Sequence, residues 1–405
     1  MRRTIARFAA AMNTLFWILA ALAVPAAPSA PGPTAEANVR FTSGHSARMP
    51  IEIAGSGLVF VRARVRDVDT WLLVSSASPS MLSSRVAAQA SLSGEPGTLA
   101  SLPIETLHDV TVDLPGVSLT QPVVSSLNLD PMQTSLGHPM GGILGIPFFE
   151  SFVIILDYDR GQLELRDPKT FATSRTAGTA IPITREAGLP YAHARLKLVD
   201  RDRFDGSFLV DSGADNAVIL FSPFVSSHRL LDPGAKPQEG EAGTVGAALR
   251  AETLDLEHFT LRHPVVNLSR STRGLTADPA HSGLIGGEVL SRFRVTWDYA
   301  RDRLILEPNR RYRDPFPYDA SGLSLSAQGP DLSTFEVRRV APGSPAAEAG
   351  FASGDVLLAV DGKPVKQITL PGIRKLFQRD GGEYAISILR EGQVRKISLK
   401  CRRLL

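Results

Sequence analysis

Apolar residues in this chain come in short runs broken by glycine, proline and charged turn residues, without the spacing of three and four that an amphipathic helix requires. Leu58–Val65 and Thr70–Val74 read as two strands joined into a hairpin, with Arg66–Asp69 as the turn. Val110–Leu114 and Val117–Val124 read as two more. Phe208–Val210 is an apolar strand that runs straight into Asp211; Ser212 and Gly213 follow, and Ala217–Leu220 resume the apolar run. Two longer stretches, Gly141–Leu165 and Gly283–Leu306, share one plan: a glycine-flanked apolar segment, a short helical turn, a strand and a closing hairpin strand. Beyond Pro308 the pattern changes. Pro345 starts a short helix over Ala346–Ala349 and Gly350 caps it. Val356–Val360 is a strand, Asp361-Gly362 a hairpin turn, Ile373–Phe377 a second helix, and Ala385–Leu389 and Val394–Leu399 closing strands. The whole predicts an all-β dominated architecture.

The two longer stretches are copies. Gly142, Gly145, Phe152, Asp157, Tyr158, Arg160, Leu163 and Leu165 match Gly283, Gly286, Phe293, Asp298, Tyr299, Arg301, Leu304 and Leu306 at a constant offset of 141 positions. A repeat of that length indicates two homologous lobes, not a solenoid. The repeat also demands a first-lobe counterpart of Asp211. Val74-Ser75-Ser76-Ala77-Ser78 aligns with Val210-Asp211-Ser212-Gly213-Ala214; Ser75 lies 70 residues before Gly145, and Asp211 lies 75 before Gly286. The strand is retained, but serine stands where the acid belongs and Ala77 where the glycine does. Asp67 and Asp69 fall on the preceding turn, in the wrong register to substitute.

A carboxylate at the end of an apolar strand is costly unless it is hydrogen-bonded. Gly213 permits a tight turn beside it, and the Ser212 hydroxyl can tie that turn to a neighbouring strand. This layout resembles the Asp-Ser/Thr-Gly loop of the retropepsin-like and pepsin-like aspartic peptidases, and Leu284-Ile285-Gly286 followed by F-x-V-x-x-D-Y resembles their second signature. The resemblance implies two tandem retropepsin-like β-barrel lobes, at 38–168 and 169–308, with Asp211, Ser212 and Gly213 as catalytic loop, Ser75 and Ser76 as its degenerate counterpart, and Gly145 and Gly286 shaping the crossing loops. It implies polypeptide substrates and no cofactor. Gly243, Thr244, Val245 and Gly246 lie where a flap over the substrate would come; an ordinary hairpin fits them equally well. Catalysis in these families uses two carboxylates sharing one proton, which Ser75 cannot supply. Three arrangements remain open: a peptide-binding relic, a slow peptidase with one carboxylate, or a homodimer bringing two copies of Asp211 together.

Residues 309–319, rich in arginine, proline and tyrosine, read as a linker, and 320–405 resembles a PDZ domain, carried chiefly by Val340–Val365. In that family a peptide C-terminus adds as a strand beside the second helix, and Gly322-Leu323-Ser324-Leu325 resembles the loop that takes its carboxylate.

Composition narrows the classes. The 405 residues suffice for about three domains, and a net charge of +3 without internal basic clusters gives no footing to nucleic-acid binding. His258, His263 and Glu257 are neighbours, but at no metal-ligand spacing, so no metal is implied. Cys401 is alone, which excludes an intrachain disulfide. Arg2, Arg3 and Arg7 precede an apolar run from Phe8 to Val24, a secretory signal pattern over 1–37. Ala35–Ala37 offers the cleavage site and Ala26 an earlier one. Membrane contact would come only through an uncleaved anchor. An exported chain without disulfides suits a bacterial periplasm; oligomeric state stays open. The resulting expectation is an exported aspartic endopeptidase with a PDZ domain, or, as the alternative that Ser75 favours, an inactive relative that binds peptides.

Overall fold

The structure, a computed structural model, describes residues 37–99, 102–172, 178–231 and 245–405; the expected export signal lies outside them except for Ala37. Strands dominate. The first lobe contains β1 (Asn38–Phe41), β2 (Ser46–Pro50), β3 (Glu52–Ala54), β4 (Leu58–Val65), β5 (Val68–Val74), β6 (Met81–Ser83), β7 (Glu95–Leu99), β8 (Leu102–Leu114), β9 (Val117–Leu127), β10 (Gly142–Leu144), β11 (Val153–Asp157) and β12 (Gln162–Arg166). Short helices α1 (Ser84–Gln89), α2 (Asp130–Leu136) and α3 (Ile146–Ser151) connect them. The second lobe contains β13 (Thr179–Glu186), β14 (Leu189–Leu198), β15 (Arg203–Asp211), β16 (Val218–Leu220), β17 (Val245–Leu256), β18 (Phe259–Arg262), β19 (Val265–Ser269), β20 (Gly283–Gly286), β21 (Phe293–Asp298) and β22 (Arg303–Pro308), with α4 (Ser222–Ser227) and α5 (Gly287–Leu290).

The lobes are joined through a continuous layer, β2-β12-β11-β21-β22-β13. At its centre Ile155 pairs with Thr296, and Ile154 with Trp297. Thr296 is the repeat partner of Ile155, and Trp297 that of Leu156. Corresponding strands therefore meet each other antiparallel, as a pseudo-two-fold axis through the Ile155–Thr296 pair requires. One core runs through both lobes; Trp297 and Phe149 pack edge to face in it at 5.2 Å. A second buried cluster in each lobe covers the other face of the central strands. In the first it contains Phe60, Leu73, Met81, Met132, Leu136 and Ile143; in the second, Tyr191, Leu209, Ile219, Phe221 and Leu284.

The third unit consists of β23 (Leu323–Gln328), β24 (Thr334–Val340), β25 (Val356–Val360), β26 (Lys363–Pro364), β27 (Glu383–Arg390) and β28 (Gln393–Lys400), with α6 (Pro345–Glu348) and α7 (Leu370–Phe377). It has its own core around Phe335, Leu357, Ile373 and Ile388. Ser344 caps α6 by accepting from the Ala347 N–H, Gly350 follows at φ +86°, and Asp361-Gly362 turns the chain at φ 50° and 77°. Each matches the sequence expectation for its type.

One expectation needs revision. The turn after β4 is only Arg66-Asp67, since β5 begins at Val68; Arg66 sits at φ 51° and Asp69 pairs with Arg64 in the ladder. Residues 309–319, expected as a linker, are held against the second lobe. The Arg292 guanidinium donates to the carbonyls of Arg311, Asp314 and Pro315 and lies 3.5 Å from the Phe316 ring centre, while Tyr312 packs on Phe259 and Phe293. The segment's aromatic side chains and bare carbonyls strap it there.

A candidate site at the seam between the lobes

The two acid-type loops meet where the lobes touch. Val210 and Asp211 at the end of β15 run parallel to β20, with Asp211 beside Gly286. In the first lobe Val74 runs parallel to Leu144, and the Ser75 N–H donates to the Leu144 carbonyl. Gly145 and Gly286 let chains cross at close range: a side chain at Gly286 would put its Cβ 2.3 Å from the Asn216 carbonyl oxygen, and one at Gly145 would lie 2.1 Å from that of Ser78.

Ser76 and Ser212 lock the seam reciprocally. The Ser76 hydroxyl donates to the Val210 carbonyl (2.8 Å) and accepts from the Ser212 N–H (3.1 Å). The Ser212 hydroxyl donates to the Val74 carbonyl (3.0 Å) and accepts from the Ser76 N–H (3.1 Å). Each hydroxyl thus reaches the strand of the opposite lobe, and all four bonds are buried. The Tyr299 hydroxyl adds a bond to the Ser76 carbonyl at 3.2 Å.

Asp211 and Ser75 face each other directly. The Ser75 hydroxyl donates to Asp211 Oδ1 at 3.0 Å, and the Gly213 N–H donates to the same oxygen at 2.8 Å. A Cβ on Gly213 would come 2.4 Å from Ser75 Oγ, so glycine is what lets the loops close on each other. Asp211 is fully buried (0% exposed) and Ser75 nearly so (2%). Asp211 Oδ2, also buried, has no hydrogen-bond partner among the described residues. Burial pushes the Asp211 carboxyl up to about 6, against the pull of the Gly213 N–H, the Ser75 hydroxyl and the Ala77 N–H. The group facing it is neutral and can donate; it cannot take a proton as a carboxylate would.

The sign of the resulting pH dependence is fixed. The folded carboxyl binds its proton more tightly than the unfolded chain does. Its contribution to stability is therefore complete below the ordinary value of 3.8 and is lost as pH rises through about 6. At about 1.4 kcal/mol per pH unit, the charged form costs up to about 3 kcal/mol at neutral pH. Asp211→Asn is expected to raise the unfolding free energy by up to that amount at pH 7.5 and to change it little at pH 3.5. Urea titrations at the two pH values check this; a loss of stability at pH 7.5 would show that the charge is favourably held.

One acidic group escaped the sequence reading. Glu288 on α5 is 6% exposed, and burial pushes it up to about 8 despite Arg292. Asp215, four residues after Asp211, adds to that push and accepts the Ser56 N–H at 2.5 Å. Glu288 lies within the second glycine-rich signature, so its register as an inward-facing residue was readable there. Among the described residues no cluster of His, Cys, Asp and Glu is arranged to hold a metal ion.

The remaining candidate residues fall elsewhere. Gly243 and Thr244 lie outside the described residues. Val245 and Gly246 begin β17, which pairs with β19 and β14, so they form strand rather than a hairpin tip. The exposed hairpin β7–β8 of the first lobe went unread because Glu95, Pro96 and Gly97 break any apolar alternation. In the third unit, Gly322-Leu323-Ser324-Leu325 does open β23, but two of its donors are engaged. The Gly322 N–H donates to Asp319 Oδ2, and the Leu323 N–H to Ser321 Oγ, whose own hydroxyl donates to Asp319 Oδ1.

The family model for the PDZ domain matches residues 336–390. No curated protein matches the chain. Among solved structures, a photosystem II D1 C-terminal processing protease is 26% identical over 22% of this chain and 24% of its own, with a TM-score of 0.20. The PDZ domain of HtrA3 bound to a phage-derived ligand is 20% identical over 20% of this chain and 84% of its own, with a TM-score of 0.19. Basic 7S globulin from soybean is 13% identical over 65% of this chain and 95% of its own, with a TM-score of 0.36. This chain thus spans about a quarter of the length of the first. The third unit carries a PDZ domain; the match does not extend to the lobes.

Proposed function

We propose that the two lobes are a degenerate acid-peptidase body that holds extended polypeptide without turning it over, and that the PDZ domain supplies a second peptide-binding surface. One observation carries this reading: Ser75 stands opposite Asp211, hydrogen-bonded to it at 3.0 Å in a site closed to solvent. An aspartic peptidase splits the two titrations of a carboxylate pair, so that one member is base and the other acid at the same pH. Ser75 can orient Asp211, but it cannot exchange roles with it. The homodimer arrangement has no support in this geometry, because the first lobe itself occupies the face that a second Asp211 would need.

Peptidase activity is the second reading, and the specific observation favouring it is the unpartnered Asp211 Oδ2 on a carboxyl that burial pushes up to about 6. That is an acid–base group poised in a useful range. The PDZ match at residues 336–390 is in keeping with a chain that binds polypeptide. By the signal pattern in residues 1–37 we place it in an exported compartment, a bacterial periplasm.

Residues 37–405, incubated with unfolded casein at pH 4 and pH 7 beside Asp211→Asn, separate the two readings. The expected result is retained binding, read by fluorescence anisotropy, with no cleavage above the Asp211→Asn level. Cleavage by the wild type that disappears in Asp211→Asn would overturn the binding reading in favour of a single-carboxylate peptidase.

A further inference from the structure

β23 is the terminal strand of the third sheet: β24 pairs with one side of it, and among the described residues no strand pairs with the other. Helix α7 also packs against β23. An open strand edge beside a helix is where an extended peptide adds to a PDZ domain. Here that place is taken. Helix α2 of the first lobe packs against β23. The Arg374 guanidinium on α7 donates both to the Ser135 carbonyl of α2 (2.9 Å) and to the Leu325 carbonyl of β23 (2.8 Å). Gly137, which ends α2 at φ +67°, approaches Leu370 so closely that a Cβ there would lie 2.5 Å from the leucine's own.

The same helix is fastened to its own lobe. Met132 and Leu136 are buried in the first lobe's second cluster with Phe60, Leu73 and Met81. Gln133 Oε1 accepts from Arg85 and from the Met140 N–H. Leu73 lies on β5, two residues before Ser75. So α2 has one side in the groove of the PDZ domain and the other over the first lobe's second buried cluster. The loop at the head of β23 is closed in a matching way, since Asp319 places a carboxylate of this chain on the Gly322 N–H.

We propose that the PDZ groove is held shut by α2, and that an extended peptide with a free C-terminal carboxylate opens it by displacing α2 from β23 and Asp319 from the loop. Peptide capture at the third unit thereby loosens the apolar cover of the first lobe. The two peptide-binding surfaces are coupled through one helix, and reciprocally so.

The test uses residues 37–405 and a fluorescein-labelled pool of pentapeptides with apolar last residues, once with free carboxylates and once amidated. Gly137→Asn is the main variant. Asparagine tolerates a left-handed backbone, so the change acts through its collision with Leu370. Arg374→Ala, which leaves the α2 backbone untouched, is the second. The expected result is weak binding to the wild type, at least tenfold tighter binding to both variants, and no binding of the amides. Saturating peptide should also speed hydrogen exchange over residues 132–136 of the wild type. Equal affinity for wild type and variants, binding to none of them, or unchanged exchange over 132–136 would each overturn the proposal. None of these readouts depends on whether the lobes cleave or only bind.

Discussion

Replacing Ser212 with alanine lowers the unfolding free energy by about 2–6 kcal/mol, and Ser76→Ala does the same. Either change deprives a carbonyl and an N–H of their partners inside the seam, and each buried polar group so orphaned costs about 1–3 kcal/mol. For Ser212→Ala the groups are the Val74 carbonyl and the Ser76 N–H; for Ser76→Ala they are the Val210 carbonyl and the Ser212 N–H. The double variant should lose less than the sum, because the first cut already admits water to the second pair. Ser93→Ala, on an exposed connection, is the control and should stay within about 0.5 kcal/mol. Urea unfolding followed by tryptophan fluorescence reads all four. Losses below about 1 kcal/mol for both single variants would show that the seam is held by apolar packing alone.

The second large effect is a gain. Ser75→Asp combined with Ala77→Gly rebuilds in the first lobe the sequence pattern of the second. Two carboxylates would then face each other across the seam, where the Ser75 hydroxyl now meets Asp211 Oδ1 at 3.0 Å. They cannot both ionise in a buried site, so the pair holds one proton well above the ordinary carboxylate range. Two consequences are expected. Casein hydrolysis should appear with an acid, bell-shaped pH profile, at a rate at least about 100-fold above the wild type, the scale of positioned acid–base catalysis. Stability should fall as pH rises toward 8, where the second proton is forced off. Wild-type hydrolysis at a comparable rate would show that Ser75 was no handicap. A double variant that folds at pH 4 but does not cleave would place the lost chemistry outside this pair.

Much of this arrangement was legible because the repeat is. The constant offset set Tyr158 against Tyr299 and Phe152 against Phe293, and the similar spacings to the following glycine, 70 and 75 residues, put Ser75 opposite Asp211. Strand β25 could be read to the residue from its apolar run and the Asp361-Gly362 turn that ends it. Helix α2 could not. Asp130–Leu136 has two apolar contacts with its own lobe, too few to produce a period, and its remaining face meets a unit almost two hundred residues away. The self-engaged loop at Gly322 was equally hidden. Asp319 and Ser321 look like ordinary turn residues until their side chains are seen curling back onto the amides that follow. Local pattern records what a segment does to its neighbours in sequence; these two features are long-range or side-chain events.

The pairing of β11 with β21 bears on how such a chain could arise and be taken apart. Each half-molecule carries, one strand before its end, the strand that its twin needs, so a severed half would expose an unsatisfied edge already shaped to receive an identical copy. Residues 178–308 produced alone should therefore associate in pairs, each member contributing its own aspartate to a rebuilt junction. Fusion of two halves into one polypeptide makes that partnership permanent, and it frees either half to drift in chemistry while the architecture persists.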